Sequence, residues 1–189
     1  MLEEIETYAK KNNIPIMQKE GIEFLTNFIL ENDVKKILEI GTAIGYSAIK
    51  MALADENIMI TTIERDEIRY QEALNNISKF HLENRIHVIF EDALDTIVND
   101  TYDLIFIDAA KSQNIRFFEK FEKNLGANGY IVTDNLNFHG LVNSNEKMSK
   151  NLTQLIKKIR NYIVFLKENK NYNTIFYNFG DGISISTKK

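Results

Sequence analysis

Five apolar runs in this sequence carry an acid at or next to their carboxyl end. Glu39 falls near the end of "KKILEIG", Glu64 closes "NIMITTIE", Asp92 closes "RIHVIFED", Asp108 closes "YDLIFID", and Asp134 follows "GYIVT". Carboxylates gathered on one rim repel one another, so such a rim calls for a metal ion, a cationic ligand or hydrogen-bond donors. Asp134 is followed by Asn135, and an Asp–Asn pair offers two hard oxygen donors of the kind that hold divalent cations. Asp108 offers a third, and Lys111 follows it within "IDAAK". The plainer alternative is that Asp134-Asn135 is an ordinary turn and Lys111 a solvated loop lysine.

The stretch "EIGTAIGYSA" (39–48) places Gly41 and Gly45 around a turn from strand to helix, where a ligand can approach the backbone. Its spacing is G-x-x-x-G and not the G-x-G-x-x-G that seats a pyrophosphate, which counts against NAD. A carboxylate at Glu64 can accept from two vicinal ribose hydroxyls, and Asp92-Ala93 can receive an adenine amino group. An adenosine ligand with a positive charge and no phosphate would suit this rim.

The elements that must carry these residues are legible from periodicity. Helices are expected at 2–13 and 17–32, broken at "NNIPI" by Pro15, with Ile22, Leu25, Phe28 and Ile29 forming a core-facing stripe. Then short apolar strands at 35–41, 57–64, 85–92, 102–108 and 129–135 alternate with helices at 44–54, 65–80, 93–99 and 114–125. That alternation implies an α/β fold with a parallel sheet covered on both faces, its ligands bound at the carboxyl ends of the strands. A long helix at 145–169 follows, and the tail 172–186 reads as an antiparallel hairpin around Gly180-Asp181-Gly182.

The totals agree. With 189 residues, 44% hydrophobic and 26% charged, the chain has the balance of an ordinary soluble domain. One Pro and eight Gly leave no linker, so one domain over 1–189 is expected, with 1–33 as a helical cap within it. A formal charge of −4 gives no global argument for a nucleic-acid or membrane partner. The absence of Cys removes thiolate chemistry and suits a cytoplasmic setting. The acidic, amphipathic start is unlike a signal peptide, and no apolar run is long enough to span a bilayer.

The pieces "LEIGTAIGYSA", "IERDE", "FEDAL", "FIDAAKSQ" and "TDNLNFHG", in this order and spacing, resemble the class I S-adenosylmethionine-dependent O-methyltransferases. Within these the chain looks most like the cation-dependent catechol and caffeoyl-CoA group, and especially the bacterial tRNA 5-hydroxyuridine methyltransferases. The resemblance implies a Rossmann-like, seven-stranded, mostly parallel sheet whose last strand is antiparallel. It implies S-adenosylmethionine and Mg2+, or another divalent cation, as cofactors. Glu39, Gly41 and Ser47 would surround the methionine part, Glu64 the ribose, and Asp92 with Ala93 the adenine. Asp108, Asp134 and Asn135 match the metal ligands, Asp108 also bordering the cofactor, and Lys111 matches the lysine beside the metal. "IPIMQKEG" resembles the segment that closes over cofactor and substrate, with Met17 a contact. Relatives of this kind are often homodimers, and the apolar N-terminal helices suit one here.

A metal-chelating acceptor needs two adjacent oxygens. A catechol has them, and so does 5-hydroxyuridine, whose 5-hydroxyl neighbours the C4 carbonyl. Lys147, Lys150, Lys157, Lys158, Arg160, Lys167 and Lys170 outnumber Glu146 and Glu168 in 144–170, and Lys10, Lys11, Lys19, Lys35 and Lys36 form an earlier group. These clusters suit tRNA phosphates or, more simply, solvated helix faces. Asn114 stands where related sequences often carry Tyr, which bears on the choice of acceptor. His81 and His87 read as surface or structural, His139 lies after the metal pair, and Tyr46 is expected to pack beneath its loop.

Overall fold

The structure is a computed structural model and describes residues 1–138, 140–143 and 148–189. Thirteen elements matter here. In chain order they are α1 (Leu2–Lys11), α2 (Lys19–Glu31), β1 (Lys36–Ile40), α3 (Tyr46–Ala54), β2 (Met59–Glu64), α4 (Glu67–Lys79), β3 (Ile86–Phe90), β4 (Tyr102–Ile107), α5 (Asn114–Phe121), β5 (Leu125–Thr133), α6 (Lys150–Glu168), β6 (Tyr172–Tyr177) and β7 (Ile183–Lys188). The strands form one sheet in the order β3-β2-β1-β4-β5-β7-β6. The first five run parallel, while β7 pairs antiparallel with both β5 and β6. This is the expected Rossmann-like, mostly parallel sheet with an antiparallel tail.

Alternation along the strands sorts their side chains onto two faces. Ile37, Leu104, Phe106 and Val132 pack with Ile22, Leu25, Ile49 and Ile77 from the helices α2, α3 and α4. Leu38, Ile40, Ile105, Ile107 and Ile131 pack with Phe117, Phe118, Tyr162 and Leu166 from α5 and α6. Helices thus cover both faces, and the central strands are buried along their length, as parallel strands require.

Strand order reverses between β1 and β4, which is where an open α/β sheet forms a crevice. The register aligns the rim of that crevice. Ile40 pairs with Ile63 on one side and Ile107 on the other, and Ile107 pairs with Thr133. The residues that follow, Gly41, Glu64, Asp108 and Asp134, therefore emerge at one level.

One expected element is missing. Residues 93–99 form a single turn at 93–95 and then irregular backbone, with no helix. The Asp92 side chain accepts from the Leu94 N–H, and side chains from α5 and just after it hold backbone carbonyls along the segment, that of Leu94 being one a helix would use internally. Asn124 Nδ2 donates to the Val98 and Asp100 carbonyls, and Lys120 Nζ to that of Leu94. The long helix also starts later than expected. Ser149 accepts from the Leu152 N–H and caps it. The readings placed on His139, Glu146 and Lys147 lie outside the described residues.

Candidate functional site

The loop from β1 to α3 can turn tightly because Gly41 and Gly45 adopt φ of 101° and 84°, in the left-handed region. Gly41 has a second reason to be glycine. A Cβ there would lie 2.5 Å from the Asp108 carbonyl oxygen, so β1 and β4 could not close together with any side chain in place. On the next strand the Glu64 carboxylate is held by three backbone donors, Ala43 N–H at 2.8 Å and the N–H groups of Arg65 and Asp66 at 2.9 Å. It is shielded by the fold yet borders the crevice, leaving acceptor capacity for a ligand hydroxyl.

That crevice is a cleft of about 800 Å³, within the size range of small-molecule sites. Of the residues singled out in the sequence, Met17, Gly41, Ser47, Glu64, Asp92, Ala93, Asp108, Lys111 and Asn135 line it. Segment 9–18 supplies one wall. Met17, buried to 4% exposure, packs against Gly21 and borders the cleft from there. Asp92 accepts from Leu94 N–H and from the Arg65 guanidinium, and these two partners hold its carboxyl below the usual range. Ala93 packs with the α5 face of the core.

Two predicted residues stand back from the cleft. Asp134 is 2% exposed and lies beneath Asn135. Glu39 is one residue inside β1, on the face toward α3, and is 0% exposed. Its Oε1 accepts from Ser47 Oγ at 2.5 Å and its Oε2 from Thr62 Oγ1 at 2.6 Å, and Thr62 in turn meets Thr42 Oγ1 at 2.6 Å. Burial pushes the Glu39 carboxyl up to about 7 against the pull of the Ser47 and Thr62 hydroxyls, with smaller upward contributions from Asp108 and Glu64. Thr42 and Thr62 carried no signal in the sequence, since a threonine on a strand or turn is ordinary. Only the strand register brings them to Glu39.

At the β4–β5 end the polar groups converge. Lys111 Nζ donates to Asp108 Oδ1 at 2.6 Å, with the two side chains 14% and 16% exposed. Asn135 Nδ2 donates to Asp134 Oδ2 at 2.7 Å and to Asp108 Oδ1 at 3.2 Å. Asn135 sits at φ 65°, a conformation Asn tolerates better than most residues, and this turns its amide back over both acids. Asp134 Oδ1 is buried with no hydrogen-bond partner. Burial, reinforced by the Asp108 charge and opposed by Lys111, raises the Asp134 carboxyl above its ordinary value. An orphaned buried carboxylate oxygen is costly, and a cation is one group that would satisfy it. No three His, Cys, Asp or Glu cluster as metal ligands among the described residues. The donor set here is two carboxylates and an amide, and turning the Asn135 amide would exchange Nδ2 for Oδ1.

The loop bearing Asn135 is fastened from behind. Leu136 N–H donates to the Gly182 carbonyl and Asn137 N–H to that of Asp181. Gly182, at φ 86°, would put a Cβ 2.9 Å from Asn137 N. Tyr46 also lines the cleft; it is buried and its hydroxyl donates to Glu6 on α1 at 2.7 Å. His81 and His87 are exposed and do not line the cleft.

Comparison with known proteins agrees with this architecture. A family model described as O-methyltransferase matches residues 1–189. A provisionally named caffeoyl-CoA O-methyltransferase of Arabidopsis thaliana is 33% identical over 148 residues, covering 75% of this chain but only 63% of that protein. A structure of a provisionally named caffeoyl-CoA O-methyltransferase from Staphylococcus aureus is 38% identical, with a TM-score of 0.95 over 100% of this chain and 92% of that one. The O-methyltransferase from Bacillus cereus, solved in complex with SAH, is 26% identical with a TM-score of 0.85, over 100% of this chain and 90% of that one. Matched along its whole length and superposable on solved relatives from end to end, the chain belongs to the O-methyltransferase family.

Proposed function

We propose that the protein transfers a methyl group from S-adenosylmethionine to a hydroxyl, assisted by a divalent cation such as Mg2+, and that the acceptor is 5-hydroxyuridine in tRNA. The observation that carries the chemistry is the convergence of Asp108, Lys111, Asp134 and Asn135 at one end of the cleft. The cleft's other end, with Glu64 and Asp92-Ala93, is suited to ribose and adenine.

In this reading Asp108, Asp134 and Asn135 hold the cation. When bound, it would lower the pKa of a chelating acceptor hydroxyl at neutral pH. Lys111 takes up the acceptor's proton or, as an ammonium, neutralises the charge on the oxygen. Asp108 fixes the Lys111 ammonium and thereby its direction. Segment 9–18 with Met17 helps exclude water, and the rigid floor at Gly41 keeps acceptor and cofactor in line. Residues 1–33 act as a cap within a single domain, and a homodimer is proposed from the apolar surface of the N-terminal helices.

The tRNA reading is supported by the cleft wall. Lys10, Arg65 and Arg69 line it in a protein of net charge −4, and neither Lys10 nor Arg69 is ion-paired among the described residues. The other basic groups support it less. Lys35 pairs with Asp33 and Asp55, and Lys36 with Asp100. The α6 lysines are on its exposed side and do not line the cleft. A second reading, a small catechol or phenylpropanoid acceptor, is favoured by the names of the plant relatives. No helix among the described residues is long and apolar enough to cross a membrane, and the cytoplasm is the proposed location.

The deciding experiment incubates the protein with labelled S-adenosylmethionine, Mg2+ and tRNA lacking 5-methoxyuridine, with an EDTA control. Label in 5-methoxyuridine that vanishes with EDTA is expected. Unlabelled tRNA alongside a methylated catechol would transfer the assignment to the second reading.

A further inference from the structure

The charges of this chain are unevenly shared. Residues 150–170 hold six of its 23 basic residues and only one of its 27 acidic ones, Glu168, in a protein of formal charge −4. Within α6, Lys150, Gln154, Lys157, Lys158 and Asn161 follow one another at helical spacing, and each is exposed. A helix face that is merely solvated commonly pairs its cations with acids three or four residues away. Here those positions carry amides: Gln154 lies four residues after Lys150 and four before Lys158, and Asn161 lies four after Lys157. Lys150 stands in the first turn, where a cation opposes the helix dipole and where no acid is present. Two other cations of the helix are engaged in the fold. Arg160 Nε donates to the Val142 carbonyl at 2.8 Å, and Lys167 lies over the Phe176 ring. Lys150, Lys157 and Lys158 have no ion pair among the described residues. The result is a stripe of cations and amides with no carboxylate in it.

We propose that this face of α6 docks the sugar–phosphate backbone of an RNA strand whose target base lies in the cleft. It rests on the reading that the acceptor is tRNA. The placement fits that role. α6 packs on the turn Lys111–Gln113, and its Ile156 and Ile159 share a satellite core with Val142 and Phe138, the last of which lines the cleft. The helix thus flanks the end of the cleft that holds Lys111. With 19 residues it is about 28 Å long, enough to meet several phosphates of one strand. Lysines and side-chain amides are suited to phosphate and sugar oxygens, contacts that fix orientation without reading sequence. A nucleoside or a catechol bound in the cleft does not extend to this face, so the face concerns the polymer alone. A lipid surface is another polyanion. A helix lying on a membrane turns an apolar face to the lipid, whereas Tyr162 and Leu166 of α6 are packed on the sheet and Val164 is the one large exposed hydrophobic of α6. The observations therefore favour RNA.

The test measures binding of an unmodified tRNA transcript to the whole chain over a range of salt concentrations. Three proteins are compared: the wild type, the combined variant Lys150→Ala, Lys157→Ala and Lys158→Ala, and the same positions changed to Arg. Alanine suits an exposed helix face, so an unchanged Tm is expected. The alanine variant should bind tRNA roughly 10- to 100-fold more weakly at about 0.1 M salt. Its plot of log affinity against log salt should be shallower by roughly 2 to 3, near the slope of three lost phosphate contacts. The arginine variant keeps the charges and should bind as the wild type does. S-adenosylmethionine affinity and methylation of the 5-hydroxyuridine nucleoside should be equal in all three proteins. Methylated tRNA together with an alanine variant of unchanged affinity and slope would sink the dock alone. An equal loss in the arginine variant would also overturn it, because charge would not be what binds. Capture of phosphatidylserine vesicles by the wild type but not by the alanine variant, with tRNA binding unchanged, would give the face to a membrane instead. A wild type that neither binds nor methylates tRNA would remove the acceptor reading and the dock with it.

Discussion

Gly41 rests directly against the backbone of Asp108: a single added carbon would come within 2.5 Å of the Asp108 carbonyl oxygen. The two residues end neighbouring strands at the point where strand order reverses, so the cleft floor is as narrow as a backbone contact permits. Gly41→Ala must relieve both this clash and a φ of 101°. A loss of about 2–4 kcal/mol of stability is expected, with S-adenosylmethionine binding abolished, read by denaturant unfolding and calorimetry.

Lys111 touches Asp108 and not the proposed cofactor end of the cleft. Lys111→Ala is expected to cut kcat by roughly 10²- to 10⁴-fold, the scale of general acid–base catalysis, while leaving the S-adenosylmethionine Kd nearly unchanged. A matched fall in cofactor affinity would show that the lysine holds the loop and takes no part in the chemistry.

Asp134→Ala removes one proposed cation ligand whose free oxygen is otherwise buried without a partner. Mg2+ should raise the Tm of the wild type, since a ligand bound only to the folded state stabilises it, and should leave Asp134→Ala unmoved. Full activity of this variant with metal present would sink the metal assignment.

Glu39 also predicts a pH dependence of stability. Its carboxyl lies near 4.5 when unfolded and near 7 when folded, so between those values the folded state binds the extra proton. Folding stability due to this group is therefore greatest below about pH 4.5 and declines as pH rises toward about 7, levelling off above. Glu39→Gln should flatten that part of the curve. Urea unfolding of both proteins at several pH values measures it.

Lys10 and Arg69 on the cleft wall separate the two acceptor readings. Reversing both charges should raise KM for tRNA and lower the salt dependence of its binding, by a slope of roughly 1 for each phosphate no longer neutralised. Methylation of a free catechol or of the 5-hydroxyuridine nucleoside should be unaffected.

The acids at the strand ends were legible in the sequence because each interrupts a buried apolar run, where a charge has no packing reason to be. The alternation of short apolar runs with helical stretches likewise made the parallel sheet readable. What could not be read was anything set by register. Glu39 looked like its neighbours on the rim, yet it lies one residue short and on the α3 side, so it meets Ser47, Thr62 and through them Thr42 instead of the cleft. A helix is expected over 93–99, but Asp92 accepts from the Leu94 N–H and Lys120, distant in sequence, takes the Leu94 carbonyl that such a helix would use. The grip of Asp181 and Gly182 on Leu136 and Asn137 was equally hidden, because it joins two turns about 45 residues apart through backbone alone.

That last grip has a consequence for synthesis on the ribosome. Residues 181–188 are made after every group proposed to do chemistry, and β7 slots between β5 and β6 to brace the strand leading to Asp134. Until it emerges, β5 is an open edge and the turn carrying Asn135 lacks its two backbone anchors. A nascent chain could thus fold its first strands early while still being unable to assemble a working centre. Completion of the hairpin serves as a final latch, so chains cut short before it would remain chemically inert.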